Sequence, residues 1–209
     1  MSAIPSKYGV SFTAASLEVE ELRRSAAAFV ANGYTWAESV KGTERADILG
    51  KVNPKTASRK LSEFKKRIAT LSYEQLDMLV AGSFEDATKI AFLACVKAYP
   101  LLRDYCSEVL ARKITSFDRK ATKYELDQFI DSKALVSPEL AKVSEMTLAK
   151  VKQVMRRMLA QADLLVLDEP QPNHPSPAVA KLLVNESALT LQAMLIEPAT
   201  IKSIKGASS

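Results

Sequence analysis

The residues with the greatest chemical reach in this sequence are cationic. Between Lys41 and Arg67 stand nine Lys and Arg against three acids, Glu44, Asp47 and Glu63, a local excess of +6. The whole chain carries +5 at pH 7, so the remainder is close to neutral and one stretch concentrates the positive field. Lys55, Arg59, Ser62 and Lys66 recur at spacings that share one face of an α-helix. Lys51 precedes that line, and Lys60, Lys65 and Arg67 flank it. Such a face can meet guanine edges in the major groove of DNA, and its serine hydroxyls can meet phosphates. A solvated charged surface is the plainer account of most basic helices. Interleaving by Ser58 and Ser62 rather than by acids favours the nucleic-acid contact. A second basic face carries Lys150, Lys152, Arg156 and Arg157 opposite the apolar stripe Leu148, Val151, Met155, Met158, Ala162 and Leu165. There a core helix with a basic outer edge is an equally good account.

Other chemistries are hard to assemble. The sequence has no Gly-rich phosphate loop, no GxSxG elbow and no HExxH. His174, the one histidine, sits in a proline-rich loop without an evident orienting partner, and Glu125 and Asp127 serve helix starts. Cys95 and Cys106 lie on apolar segments without CxxC spacing, which predicts buried, reduced thiols and disfavours a zinc site. The expectation is no enzyme, no catalytic residue, no cofactor and no metal. Trp36 reads as a packing anchor rather than a platform for stacking bases. The stretch Met1–Lys7 lacks the apolar core of a signal peptide. The longest uncharged run, Ser25 to Ala37, is shorter than the roughly 18 residues of a membrane helix. A cytoplasmic protein without membrane association is expected.

The elements that must position these cations are helical. Ser16 is the expected cap of a helix running to about Ala31, stopped by Asn32-Gly33. Thr35-Trp36-Ala37-Glu38 reads as a short helix ahead of the charged stretch Lys41–Lys51. Asn53-Pro54, a capping side chain before a proline at the first helical position, opens a helix to about Leu71. Short helix, connector and capped basic helix is the arrangement of a helix-turn-helix reader. Helices follow at Tyr73–Val80 and Phe84–Tyr99, the second apolar nearly all round and so destined for the middle of a bundle. Pro100 restarts a helix that continues to Ile114. The polar segment Ser116–Lys123 marks a boundary between lobes 1–115 and 116–209. Beyond it come helices at 124–135, 138–142 and 146–164. An apolar run Leu164–Leu167 and the proline-rich loop 168–177 complete a winged-helix-like order, with His174 near the tip of the wing. Asp168 and Glu169 do not favour a wing lying against phosphate. A short helix or strand is expected over Ala178–Leu183 and another over Leu189–Ile196, with a disordered tail from Lys202. The fold class is mainly α: a two-lobed helical bundle with helix-turn-helix and winged-helix-like elements and at most a short β-hairpin near the C-terminus.

Three stretches, Phe12-Thr13-Ala14-Ala15-Ser16-Leu17, Ala98-Tyr99-Pro100-Leu101-Leu102-Arg103-Asp104-Tyr105, and the run KVKQVMRRMLAQADLL from Lys150 to Leu165, resemble the BrxA family. Its members are small accessory proteins of BREX, a bacterial phage-defence system. The resemblance covers most of the chain up to about Leu165. It implies a helical protein, similar in part to the NusB type of RNA-binding protein and associated with nucleic acid, working beside methyltransferase and ATPase subunits. It supplies no catalytic residue.

Residues and resemblance together predict a non-catalytic accessory subunit that binds double-stranded DNA with weak sequence preference. Helix 54–71 is the main contact and helix 146–164 a second surface. The rival readings are a protein–protein adaptor docking onto larger BREX subunits and a NusB-like RNA binder.

Overall fold

The computed structural model describes residues 8–36, 53–116 and 118–206. The chain enters through a short 3-10 turn, Ser11–Ala14, and then builds α1 (Val19–Ala31), α2 (Pro54–Ile68), α3 (Tyr73–Ala81), α4 (Phe84–Ala98) and α5 (Pro100–Tyr105). A π-helical turn, Cys106–Leu110, leads into α6 (Ala111–Ile114). Then follow α7 (Lys123–Ala134), α8 (Pro138–Ala141) and α9 (Glu145–Gln161). A hairpin of β1 (Leu165–Val166) and β2 (Glu169–Pro170) precedes α10 (Pro177–Leu182), α11 (Ala188–Ala193) and α12 (Pro198–Gly206).

The starts are written in short polar side chains. Asn53, Ser72, Ser83, Thr122, Ser137, Ser144, Ser176 and Ser187 each accept a backbone N–H at the head of the helix they precede. That satisfies a donor the first turn would otherwise leave bare. Ser72 with Gln75 and Thr122 with Glu125 close full capping boxes. At the end of α1, Asn32 is the cap and Gly33 takes the left-handed conformation (φ 64°) that stops the helix.

Several expectations give way. Helix α1 starts at Val19, after Glu18 at φ 47°, and Ser16 is not its cap. The carbonyls of residues 15–17 are bonded elsewhere, as described below. The tail expected to be disordered from Lys202 forms the last turns of α12 as far as Gly206, with Ile204 buried. Thr35 and Trp36 are not helical. The rest of that short helix, the stretch Lys41–Lys51 and hence any helix-turn-helix partner ahead of α2 lie outside the described residues.

The core is assembled around α4, whose residues Ile90 to Val96 are all buried. Each fully buried Leu, Ile or Phe contributes about 1.5–3 kcal/mol, which makes Ile90, Phe92 and Leu93 its chief apolar contributors. α1, α2, α3 and α5 pack on α4 from the N-terminal side, and α10 and α11 cover it from the C-terminal side. The polar turn at Thr115–Ser116 is exposed, and one apolar cluster runs across it from Tyr8 to Ile204. Among the described residues, no helix is long and apolar enough to cross a membrane.

The hairpin is antiparallel in the register Leu165↔Pro170 and Val166↔Glu169, which leaves Leu167 and Asp168 as a two-residue turn. His174 is therefore not at the tip. It lies beyond β2, in a shallow polar pocket with Glu85, Lys89 and Asp163.

Both cysteines are free and fully buried, Cys95 on α4 and Cys106 at the start of the π-helical turn. Burial pushes both thiols well above the usual range, so thiolate is scarce at neutral pH. A disulfide reagent at pH 8 should leave both untouched in the native protein and titrate both after denaturation. Rapid native labelling of either would show that its packing opens.

Candidate nucleic-acid interface

The segment from Ser11 to Glu18 lies as a strap between the two basic helices. On one side Ser11 Oγ meets Lys66 Nζ of α2 at 2.9 Å, and Glu18 pairs with Lys60 of α2 at 2.9 Å. On the other side Thr13 adjoins Met146, Lys150 and Gln153 of α9, and the amide of Leu17 donates to Gln161 Oε1 at 2.9 Å. Thus α2 and α9 run in opposite directions along one strap, and Lys60 and Arg157 line the same cleft with Glu18, Glu20 and Glu21. Sequence placed these helices in separate lobes, and the structure brings both against one strap.

What pins the strap is Arg67. It was expected among the surface cations and is instead fully buried, at 0% exposure. The last turn of α2 places it between Phe64 and Ile68 on the inward side. Its guanidinium donates to the carbonyls of Ser16 (2.6 Å), Leu17 (3.1 Å) and Ala15 (2.8 Å), and its Nε donates to the Tyr99 hydroxyl at 2.9 Å. The Tyr99 hydroxyl donates to Glu63 Oε2 at 3.0 Å, and Glu63 is further held by Lys66 (2.7 Å) and Ser11 (3.3 Å). Burial pushes the Tyr99 phenol up while Arg67 opposes, leaving it protonated and able to donate. The charge is thereby matched by four acceptors and a carboxylate one residue further on.

The other sequence-predicted cations sort by partner. On α2, Lys55, Arg59 and Ser62 are exposed, and Lys55 and Arg59 form no ion pair among the described residues. Lys60 is committed to Glu18, Lys66 to Glu63, and Lys65 lies over the Trp36 ring at 4.9 Å. On α9, Lys150 hydrogen-bonds Gln153 (3.0 Å) and forms no ion pair among the described residues, and Arg157 is exposed without an ion pair there. Lys152 is paired with Asp127 at 2.5 Å. Arg156 bonds the carbonyl of Ala121 at 3.0 Å and the Asp168 carboxylate, so it anchors the hairpin to α9. Lys51 lies outside the described residues. Sequence reasoning missed Ser11, Thr13 and Gln161, whose roles come from contacts between distant segments.

The chain is thus a mainly helical protein with two cationic helices against one strap, and no group of His, Cys, Asp or Glu that could hold a metal ion stands among the described residues. Residues 6–187 match the BrxA family, and the chain belongs to it. The BREX protein BrxA of Escherichia coli O9:H4 (strain HS) is 27% identical over 128 residues, 61% of this chain and 59% of that relative's length. The matched stretch thus spans less than two thirds of that relative. A crystal structure of an uncharacterized protein from Magnetospirillum magneticum superposes with a TM-score of 0.76 at 18% identity, covering 92% of this chain and all of that one. That likeness is one of fold.

Removing Arg67 leaves three strap carbonyls without a donor in the interior and takes away the N–H that the Tyr99 hydroxyl accepts. Arg67→Met should lower the unfolding free energy by about 3–5 kcal/mol, and Arg67→Lys by a large part of that because an ammonium cannot reach all four acceptors. Urea denaturation reads both. A loss below about 1 kcal/mol for Arg67→Met would show that the strap is held by other contacts.

Proposed function

We propose that this chain is a non-catalytic accessory component of BREX defence that binds double-stranded DNA across α2 and α9. The observation that carries the reading is the sorting of cations. Lys55 and Arg59 on α2, and Lys150 and Arg157 on α9, stay exposed without acidic partners on helices that share one strap. Their neighbours are bound within the molecule. Charges held free on a rigid scaffold suit phosphate, which supplies most of the affinity of sequence-tolerant DNA binders.

The order α7, α8, α9, β1, β2 supports the same reading. It is that of a winged helix, with α8 and α9 joined by residues 142–144 and the outer face of α9 carrying Lys150, Gln153 and Arg157. The name of the E. coli relative is the ground for placing the function within BREX. An adaptor role has one specific observation in its favour, the strong exposure of Leu135, Val136 and Met146. It predicts stable co-purification with a larger protein and no affinity for naked nucleic acid. An RNA-binding role predicts that structured RNA outcompetes duplex DNA, whereas a helix reading the major groove favours DNA, since the deep, narrow major groove of A-form RNA excludes it.

A gel-shift titration with an unrelated duplex at several salt concentrations tests the proposal. Four phosphate contacts give a slope of log affinity on log salt near about −3.6. Lys55/Arg59→Ala and Lys150/Arg157→Ala should each flatten that slope by about 1.8 while the variants stay folded. A salt-independent interaction, or none, would remove this mechanism.

A further inference from the structure

The turn closing the β1–β2 hairpin is built against local preference. A two-residue hairpin turn with both central residues at positive φ ordinarily uses Asn-Gly or Asp-Gly, because other side chains crowd the backbone there. Here the two positions are Leu167 (φ 50°) and Asp168 (φ 68°). Asp168 is accounted for. Its carboxylate takes Arg156 of α9, and its carbonyl accepts the Ala121 amide at 2.7 Å, which fixes the tip against α9 and the segment leading into α7. Leu167 recovers nothing from the core. It is 90% exposed, with Val166 beside it at 47% and Tyr124, on the segment bonded to the turn, at 68%.

Exposed cations stand on the segment bonded to this apolar tip. Asp118 and Glu125 are paired with Lys113, Asp127 with Lys152, and Asp168 with Arg156. Arg119, Lys120 and Lys123 are exposed and form no ion pair among the described residues; Glu169 beside the turn, and Asp131 and Glu145 in the groove that Lys123 also lines, form none either. A lone leucine on a two-residue turn is far too small for a protein interface of the usual ~800 Å² per partner. It is the right size for a minor groove of about 6 Å width whose walls are phosphates.

We infer that Leu167 is an apolar wedge, entering the minor groove and unstacking one base step so that the duplex bends, while Arg119, Lys120 and Lys123 hold the flanking phosphates. The inference rests on the duplex-binding reading above and adds a mode of recognition to it. Apolar side chains placed between base steps kink DNA in this way. Pyrimidine–purine steps unstack most readily, so the site favoured would contain TA or CA and would be selected by deformability rather than by base-edge hydrogen bonds. Arg156 is a positioning residue here: it holds the turn and does not itself meet DNA.

The test uses the full chain and a duplex carrying a donor–acceptor dye pair at its ends and 2-aminopurine at a central TA step. Wild type should shorten the end-to-end distance, corresponding to a bend of about 20–90°, and raise the 2-aminopurine fluorescence. Leu167→Gly relieves the turn and so folds at least as well. It should keep affinity within about tenfold, the cations being intact, yet leave the duplex straight and the probe quenched. Wild-type binding without either signal, or the same signals from Leu167→Gly, overturns the wedge and leaves duplex binding standing. Absence of wild-type binding to any duplex removes the duplex reading and the wedge with it.

Discussion

A guanidinium buried without solvent contact organises this molecule. Arg67 takes up the carbonyls of Ala15, Ser16 and Leu17, a stretch that makes no regular structure of its own and would otherwise carry bare acceptors into the interior. The planar fork suits this task, since several donors lie in one plane at fixed angles. Through Tyr99 the same group reaches Glu63, and through Glu63 it reaches Lys66 and Ser11. The strap therefore has one conformation, and the spacing of α2 and α9 on either side of it follows. Helix α1 begins only where those carbonyls have been satisfied, at Val19.

The same accounting separates cations that hold the molecule together from cations left for something else. Lys60, Lys66, Lys152 and Arg156 each bind an acid or a carbonyl from another segment or turn. Where such pairs are exposed they contribute little stability, with a median of ~0–1 kcal/mol, but they lock side chains in place and cancel charge locally. Cations left without an acid stand on the outer faces of α2 and α9 and on the segment bonded to the hairpin turn, and also singly elsewhere, at Lys142, Lys181 and Lys202.

Much of the helical framework was legible because its signals are local. Asn53-Pro54, Ser72, Ser83, Ser137 and Ser144 name their helices by side chains that reach only two or three residues ahead. The all-round apolar character of α4 declared its central place. Arg67 was misread because the same residue type serves solvent and interior alike, and its partners are backbone atoms about fifty residues back in the chain, which carry no sequence mark. Its position between Phe64 and Ile68, on the flank of the apolar stripe, was the available hint. For α12 the hint was stronger: Pro198 at the first position and Ile201 and Ile204 three apart announce a helix. The turn at Leu167 was invisible for the opposite reason, lacking the Asn-Gly pair that such turns usually display.

The apolar cluster from Tyr8 to Ile204 also decides how the molecule comes apart. Residues 188–206 lie past the stretch matched by the family, yet Leu191, Met194, Leu195, Ile196 and Ile204 are buried in the common interior. A chain with one interior melts as one cooperative unit. Whatever occupies the native surface of α2 then shifts the folding equilibrium of the whole by mass action and so protects the distant hairpin without touching it. Communication between the two ends of the chain needs no pathway of moving parts, only a shared melting transition.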